Sequence, residues 1–247
     1  MTKIQRMPTH SEENYLKAIW KLHESGIPSV STNSIAAEVK TRAASVTDML
    51  KKLADKKLIQ YQKYQGVKLT AEGRRVALSI VRKHRLWEVF LVEKLDYRWD
   101  EVHEIAEQLE HIYSENLTDR LDMFLGFPKF DPHGDPIPDK TGKLADAASV
   151  SLSTIKAGGN AVMTGVSEHS TIFLRYLDEH HIGLGSAISV EQIIAFDQSL
   201  KIKVNSKPAI TISQHAAKNI LVKPRPNGSS SLPDFVSQPG GKTVKKK

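Results

Sequence analysis

Apolar residues recur at helical spacing through the first half of the chain. Tyr15, Leu16, Ile19 and Leu22, with Trp20 beside them, form a stripe behind Thr9-His-Ser-Glu12. A threonine in the cap position and a glutamate three residues on predict a helix start there, and Gly26 and Pro28 end the helix. Ser31-Thr-Asn-Ser34 is a second cap cluster, and Ile35, Ala36 and Val39 predict a short helix. After a break at 41–45 a third helix follows. Val46, Met49, Leu50 and Leu53 form its inner face, and Arg42, Ser45, Asp48, Lys51 and Lys52 lie outside. Two short helices joined by a tight turn make a helix-turn-helix. The runs 58–64 and 67–70, separated by Gln65-Gly66, predict a hairpin and therefore a winged helix. Thr70-Ala-Glu-Gly73 caps a long helix to about residue 94. Its apolar residues (Val76, Ile80, Val81, Leu86, Trp87, Phe90, Leu91) exceed what one small domain needs, and predict a dimer interface or a second core.

Further on, 99–113 reads as another helix and 117–125 as a short one. The segment 126–138 is too rich in proline and glycine for either regular structure. Beyond it the period changes. Short alternating runs at 181–189, 193–196, 200–204 and 208–212, with a short helix at 172–177, predict a small β-rich barrel of the SH3-like kind. The fold class is therefore mainly α. Its divisions are a winged helix-turn-helix (1–73), a helical domain (74–145), a linker (146–156), an SH3-like domain (157–222) and a disordered basic tail (223–247).

Charge changes this picture little. The net charge of +7 over 247 residues comes mostly from the tail, so a nucleic-acid argument rests on where charges sit. The outer face of the third helix supplies that argument. Ser45, Thr47 and Asp48 are candidates for base edges, with Arg42, Lys51 and the wing residue Tyr64 for the DNA backbone. The sequence lacks cysteine, so a metal would be held by nitrogen and oxygen. This fits a reducing cytoplasm. Nothing reads as a membrane span.

The candidate metal chemistry sits in 99–113. His103, Glu107, Glu110 and His111 fall on one face of an ideal helix, and His84 and Glu88 form a second i, i+4 pair on the preceding one. Imidazoles with carboxylates suit a divalent transition metal. A metalloenzyme, such as a hydrolase with a metal-bound water, is the alternative to a DNA-binding protein that carries a metal. It lacks a separate nucleophile or oxyanion set.

These segments together resemble the diphtheria toxin repressor and manganese transport regulator (DtxR/MntR) family. The residues that carry the resemblance are Glu13-Asn-Tyr-Leu16, the 45–53 helix, Leu69-Thr-Ala-Glu-Gly73, Arg82-Lys-His-Arg-Leu86, Val102-His103, Glu107, Leu109-Glu-His-Ile112 and Phe130-Asp-Pro-His-Gly-Asp-Pro-Ile-Pro138. The β-rich end resembles that family's SH3-like, FeoA-like third domain. The resemblance implies a homodimeric repressor that binds double-stranded operator DNA when Mn²⁺, or alternatively Fe²⁺, is plentiful, and that turns down metal-uptake genes. It implies a primary site of Glu107, Glu110 and His111 with Asn14 from the first helix, and a second site of His84, Glu88 and His103. Relatives more often have Met or Asp at the position of Asn14. Glu168, His169, Asp178, His180 or His181 of the third domain would be the source of any extra ligand to the second site.

Overall fold

Thr9 caps the first helix reciprocally with Glu12 in a computed structural model that describes residues 8–27, 29–62 and 66–225. Its hydroxyl accepts from the Glu12 N–H, and the Glu12 carboxylate accepts from the Thr9 N–H. Two donors that a helix start leaves unpaired are thereby satisfied. The helix α1 (His10–Glu24) leads to α2 (Thr32–Glu38), capped by Ser31, and to α3 (Ala43–Asp55). Strands β1 (Ile59–Gln62) and β2 (Gly66–Leu69) pair antiparallel, with Ile59 opposite Leu69 and Gln62 opposite Gly66. Gly66 thus opens β2.

The long helix α4 (Ala71–Leu95) starts where the sequence predicts it. Thr70 Oγ1 accepts from the Gly73 N–H and donates to the chain at Lys57 and Leu58. A Cβ at residue 73 would overlap the Leu58 carbonyl, so glycine allows α4 to begin hard against the end of α3 and β1. Two shorter helices follow, α5 (His103–Leu109) and α6 (Glu115–Phe124).

The chain forms two compact units. Among the described residues, the first holds those up to His84 with Glu107–Asp119 and Pro138–Leu144; the second holds Arg85–Ala106, Arg120–Ile137 and those from Ala145 to Arg225. In the first unit Leu16, Ile19, Ile35, Val46, Leu50, Leu53 and Val67 are fully buried, joined by Ala77, Leu78 and Val81 of α4. Each such side chain contributes roughly 1.5–3 kcal/mol by leaving water. The inner face predicted for α3 is therefore the observed one, and it turns Arg42, Ser45, Asp48 and Lys51 outward.

The second unit has a small helical core of Leu86, Val89, Leu121 and Ile137 and a larger β-rich one. Six antiparallel strands, β3 (Val150–Ser151), β4 (Asn160–Val166), β5 (Ala187–Ile193), β6 (Leu200–Val204), β7 (Ile210–Ile212) and β8 (Ile220–Arg225), run in the order β3-β8-β4-β5-β6-β7. Helices α7 (Thr171–Glu179) and α8 (Gln214–Asn219) contribute Phe173, Leu174, Leu177, Ala216 and Ala217 to its core. In β6, Leu200, Ile202 and Val204 point inward and Lys201 and Lys203 outward. The register shifts in β4 and β5, at Met163/Gly165 and Val190/Gln192.

Three expectations are corrected. The segment expected as a linker joins the sheet: Val150 and Ser151 pair with Val222 and Leu221, and Leu152 is fully buried. A two-residue strand held by backbone bonds leaves no periodic signal. The runs expected as strands at 181–189 and 193–196 are one strand, β5, preceded by a turn with His181 at positive φ and followed by a connection that leaves Phe196 exposed. The last strand extends to Arg225, into the expected tail. Residues 226–247 lie outside the described residues, as do Lys63, Tyr64 and Gln65 of the wing.

Candidate metal centre and DNA-binding face

In the first unit α1, α4 and the turn after α5 meet at Glu110, whose side chain is fully buried. His84 Nδ1 of α4 lies 2.6 Å from Glu110 Oε2, and Lys17 Nζ of α1 lies 2.7 and 2.8 Å from its two oxygens. Burial alone would raise this carboxyl. The hydrogen bonds and charges of His84 and Lys17 outweigh it and hold the group below the usual range. Lys17 also reaches Glu107 Oε1 at 3.3 Å. His111 Nδ1 lies 2.6 Å from Glu13 Oε2, and its other nitrogen, Nε2, faces Glu110 Oε1 at 3.8 Å. A carboxylate on Nδ1 makes that nitrogen the donor and leaves Nε2 as the one that faces Glu110. His10 stacks on the same ring at 4.4 Å.

This arrangement modifies the expected helix at 99–113. It ends at Leu109, where the Leu109 carbonyl accepts from the Ile112 N–H, so Glu110 and His111 occupy the following turn rather than one helical face with His103. In that turn the buried carboxylate sits where His84 and Lys17 satisfy it, since an unpaired buried charge is costly.

The structure does not bring Asn14 to this cluster. Asn14 is exposed and lines a groove with Ser11, Val39, Thr41, Ser45 and Met49. The residue of α1 that reaches His111 is its neighbour Glu13. One step along a helix rotates a side chain by ~100°, so adjacent residues serve different faces.

In the second unit Glu88, buried on α4, lies 3.3 Å from His103 Nδ1 and 3.5 Å from His133 Nδ1. Ligand atoms of Glu88, Asp131 and His133 come within 4.8 Å of one another, and all three residues are buried. Glu88 and His103, two of the expected trio with His84, therefore stand together, and His84 lies one turn earlier on the same helix as Glu88. Asp131 and His133 are not among the ligands expected from the sequence. They sit in the proline-rich loop, which Asp131 organises by accepting from the N–H groups of His133 and Asp135. Burial of the His133 ring disfavours its charge, but Glu88 and Asp131 outweigh that and raise it to about 9. Burial, with Asp135 and Glu88 near, raises Asp131 to about 7. Among the third-domain candidates, His169 packs edge-on against His133 at 5.1 Å. Asp178 instead accepts from Trp99 Nε1 and Arg98, and fully buried Asp100 accepts from Arg98 and Arg175.

Both clusters offer carboxylate oxygen and imidazole nitrogen without sulfur. That donor set fits Mn²⁺ or Fe²⁺.

On the DNA side, Arg42, Ser45, Asp48 and Lys51 are exposed on or beside α3, and Thr47 is half-buried. Asp48 and Lys51 face each other at 3.4 Å, and the Thr47 hydroxyl donates to the Ala43 carbonyl. Tyr64 lies outside the described residues.

A winged helix joined to buried His/carboxylate clusters defines a metal-responsive DNA-binding regulator. Residues 7–67 match the family described as iron dependent repressor, N-terminal DNA binding domain; 70–139 match its metal binding and dimerisation domain; and 150–224 match the FeoA domain. The chain is similar to the iron-dependent repressor IdeR of Mycobacterium leprae, 33% identical over 51% of this chain and 54% of that protein. It is also similar to the HTH-type transcriptional regulator MntR of Oceanobacillus iheyensis, 35% identical over 51% of this chain and 84% of that protein. The aligned stretch thus spans only about half the length of IdeR. Among solved structures, a manganese-dependent transcriptional repressor in complex with manganese superposes with a TM-score of 0.80, at 36% identity, over 87% of this chain and 100% of that one. The chain belongs to the DtxR/MntR family of metal-dependent transcriptional repressors. These relatives are regulators and give no support to the metalloenzyme alternative.

Proposed function

We propose that the protein is a homodimeric repressor that binds double-stranded operator DNA in response to Mn²⁺, with Fe²⁺ as the alternative, and acts on metal-uptake genes in the cytoplasm. The buried Glu110, reached by residues of α1, α4 and the turn after α5, carries this reading. Glu107, Glu110 and His111 Nε2 would hold the first ion. Glu13 orients His111, and His84 bonds Glu110. Glu88 and His103, with Asp131 and His133, would hold a second. A bound divalent ion supplies positive charge that offsets clustered carboxylates. The protein's part is to connect α1 of the DNA-binding domain to α4 and the segment after α5, so that the two recognition helices of a dimer hold the ~34 Å spacing of successive major grooves. The ion can favour that arrangement only by its differential affinity for it. Arg42 and Lys51 would contact phosphates, while Ser45, Thr47 and Asp48 face base edges.

Support for the dimer comes from exposed Met123, Phe124 and Phe127 at the end of α6 and just beyond it. Phe90 lies beside Phe124 at 6.3 Å, which extends an apolar surface of the kind that covers protein contacts. The direct test is fluorescence anisotropy with a DNA fragment from the promoter of a metal-uptake gene, with Mn²⁺ and with chelator. Affinity should rise at least about tenfold with Mn²⁺, a coupling of about 1.4 kcal/mol. Equal affinity in both conditions would sink the metal-switch reading.

A further inference from the structure

We propose that Lys17 is a built-in competitor for the metal. Its ammonium occupies the carboxylates of Glu110 and Glu107 in the metal-free protein, must leave them for a divalent ion to bind, and so sets the metal concentration at which the regulator responds. The proposal rests on the metal-sensing reading of the same cluster.

The geometry is that of a cation in a cation site. Nζ lies 2.7 and 2.8 Å from the two Glu110 oxygens and 3.3 Å from Glu107 Oε1, the face toward which His111 Nε2 also turns. Glu110 is fully buried, so without metal it needs a countercharge, and Lys17 provides one. An ammonium has no lone pair with which to join a metal's ligands, and two cations cannot share the same carboxylate oxygens without strong repulsion. Lys17 is also able to leave. Its side chain keeps 19% exposure and Glu107 is half-exposed, so the flexible stem can swing the charge into water. Release restores the hydration of the ammonium but breaks its bonds to Glu110. Metal binding therefore works against an existing ion pair, which weakens the apparent affinity.

Titration calorimetry of chelator-stripped full-length protein with Mn²⁺ tests this, using wild type, Lys17→Gln, Lys17→Met and Lys17→Arg. The Gln and Met variants should bind Mn²⁺ at least about tenfold more tightly, about 1.4 kcal/mol. Their metal-free unfolding temperature should fall, and the rise on adding Mn²⁺ should exceed that of wild type. The Arg variant, which keeps the charge, should bind no more tightly than wild type. Circular dichroism checks the fold. If the Gln variant is unfolded, the Met variant, whose apolar stem preserves packing, carries the comparison. Unchanged or weaker Mn²⁺ binding in the neutral variants would overturn the proposal and leave Lys17 a structural clasp. Failure of wild type itself to bind Mn²⁺ would overturn the metal-sensing reading beneath it.

Discussion

His111 shows how one neighbouring carboxylate decides which ring nitrogen a proposed ligand can offer. Glu13 on Nδ1 leaves Nε2 as the nitrogen that faces Glu110. Glu13→Gln should therefore weaken Mn²⁺ binding about ten- to a hundredfold, the usual cost of losing an orienting partner. Asn14→Ala should change it less than about twofold, because Asn14 faces a different groove. Calorimetry on the two variants decides between them, and the reverse order would return Asn14 to the site. In the second unit the residue-scale prediction concerns pH. Asp131, raised to about 7, and His133, raised to about 9, both bind protons more tightly folded than unfolded. Their stabilising effect is full below the unfolded values and is lost as pH rises through the folded ones. The metal-free protein should accordingly unfold at a lower temperature at pH ~9 than at pH ~6, a difference that Asp131→Asn and His133→Gln should reduce. None of these pairings was legible in the sequence. Glu13 sits beside a polar Asn14 with nothing to distinguish them except helix phase relative to a distant turn. Asp131 and His133 were visible only as polar residues in a proline-rich stretch.

At the scale of elements, apolar stripes predicted α1, α2, α3 and α4, helped at α1, α2 and α4 by a capping side chain that α3 lacks. The helix expected at 99–113 spans only His103–Leu109, and the glutamate just beyond its end is paired with His84 and Lys17. The loop after α6 has a sharper requirement. Gly134 has φ +88, and a Cβ there would overlap the Thr164 carbonyl of β4. The Val166 N–H donates to the His133 carbonyl in the same contact. Gly134→Ala should destabilise this packing by about 1–3 kcal/mol. It should lower the unfolding temperature measured by calorimetry and shift His133 away from Glu88. An unchanged unfolding temperature would mean that the loop adapts freely. The short strand β3 and the helix α8 escaped prediction for a related reason: each is fixed by what it pairs with or packs on, not by a period of its own.

At the scale of the whole molecule, the apolar surface of Met123, Phe124 and Phe127 invites a second copy. Phe124→Glu should convert the proposed dimer to monomer in sedimentation velocity and lower operator affinity, while leaving Mn²⁺ binding to each chain within about threefold, since the substitution alters none of the proposed ligands. Retained dimerisation would move the interface elsewhere.

The sequence by itself determined the local elements of the DNA-binding domain, the change from helical to alternating pattern near residue 157, and the ligand types available to a metal without cysteine. Those properties are periodic or compositional, and chain neighbours suffice to express them. Tertiary structure alone decided which donors meet. It set Glu13 rather than Asn14 against His111, added Asp131 and His133 to Glu88, and put Lys17 on Glu107 and Glu110. These are contacts between residues tens of positions apart, and they are chosen by the need of a buried charge for a partner, which no spacing along the chain encodes.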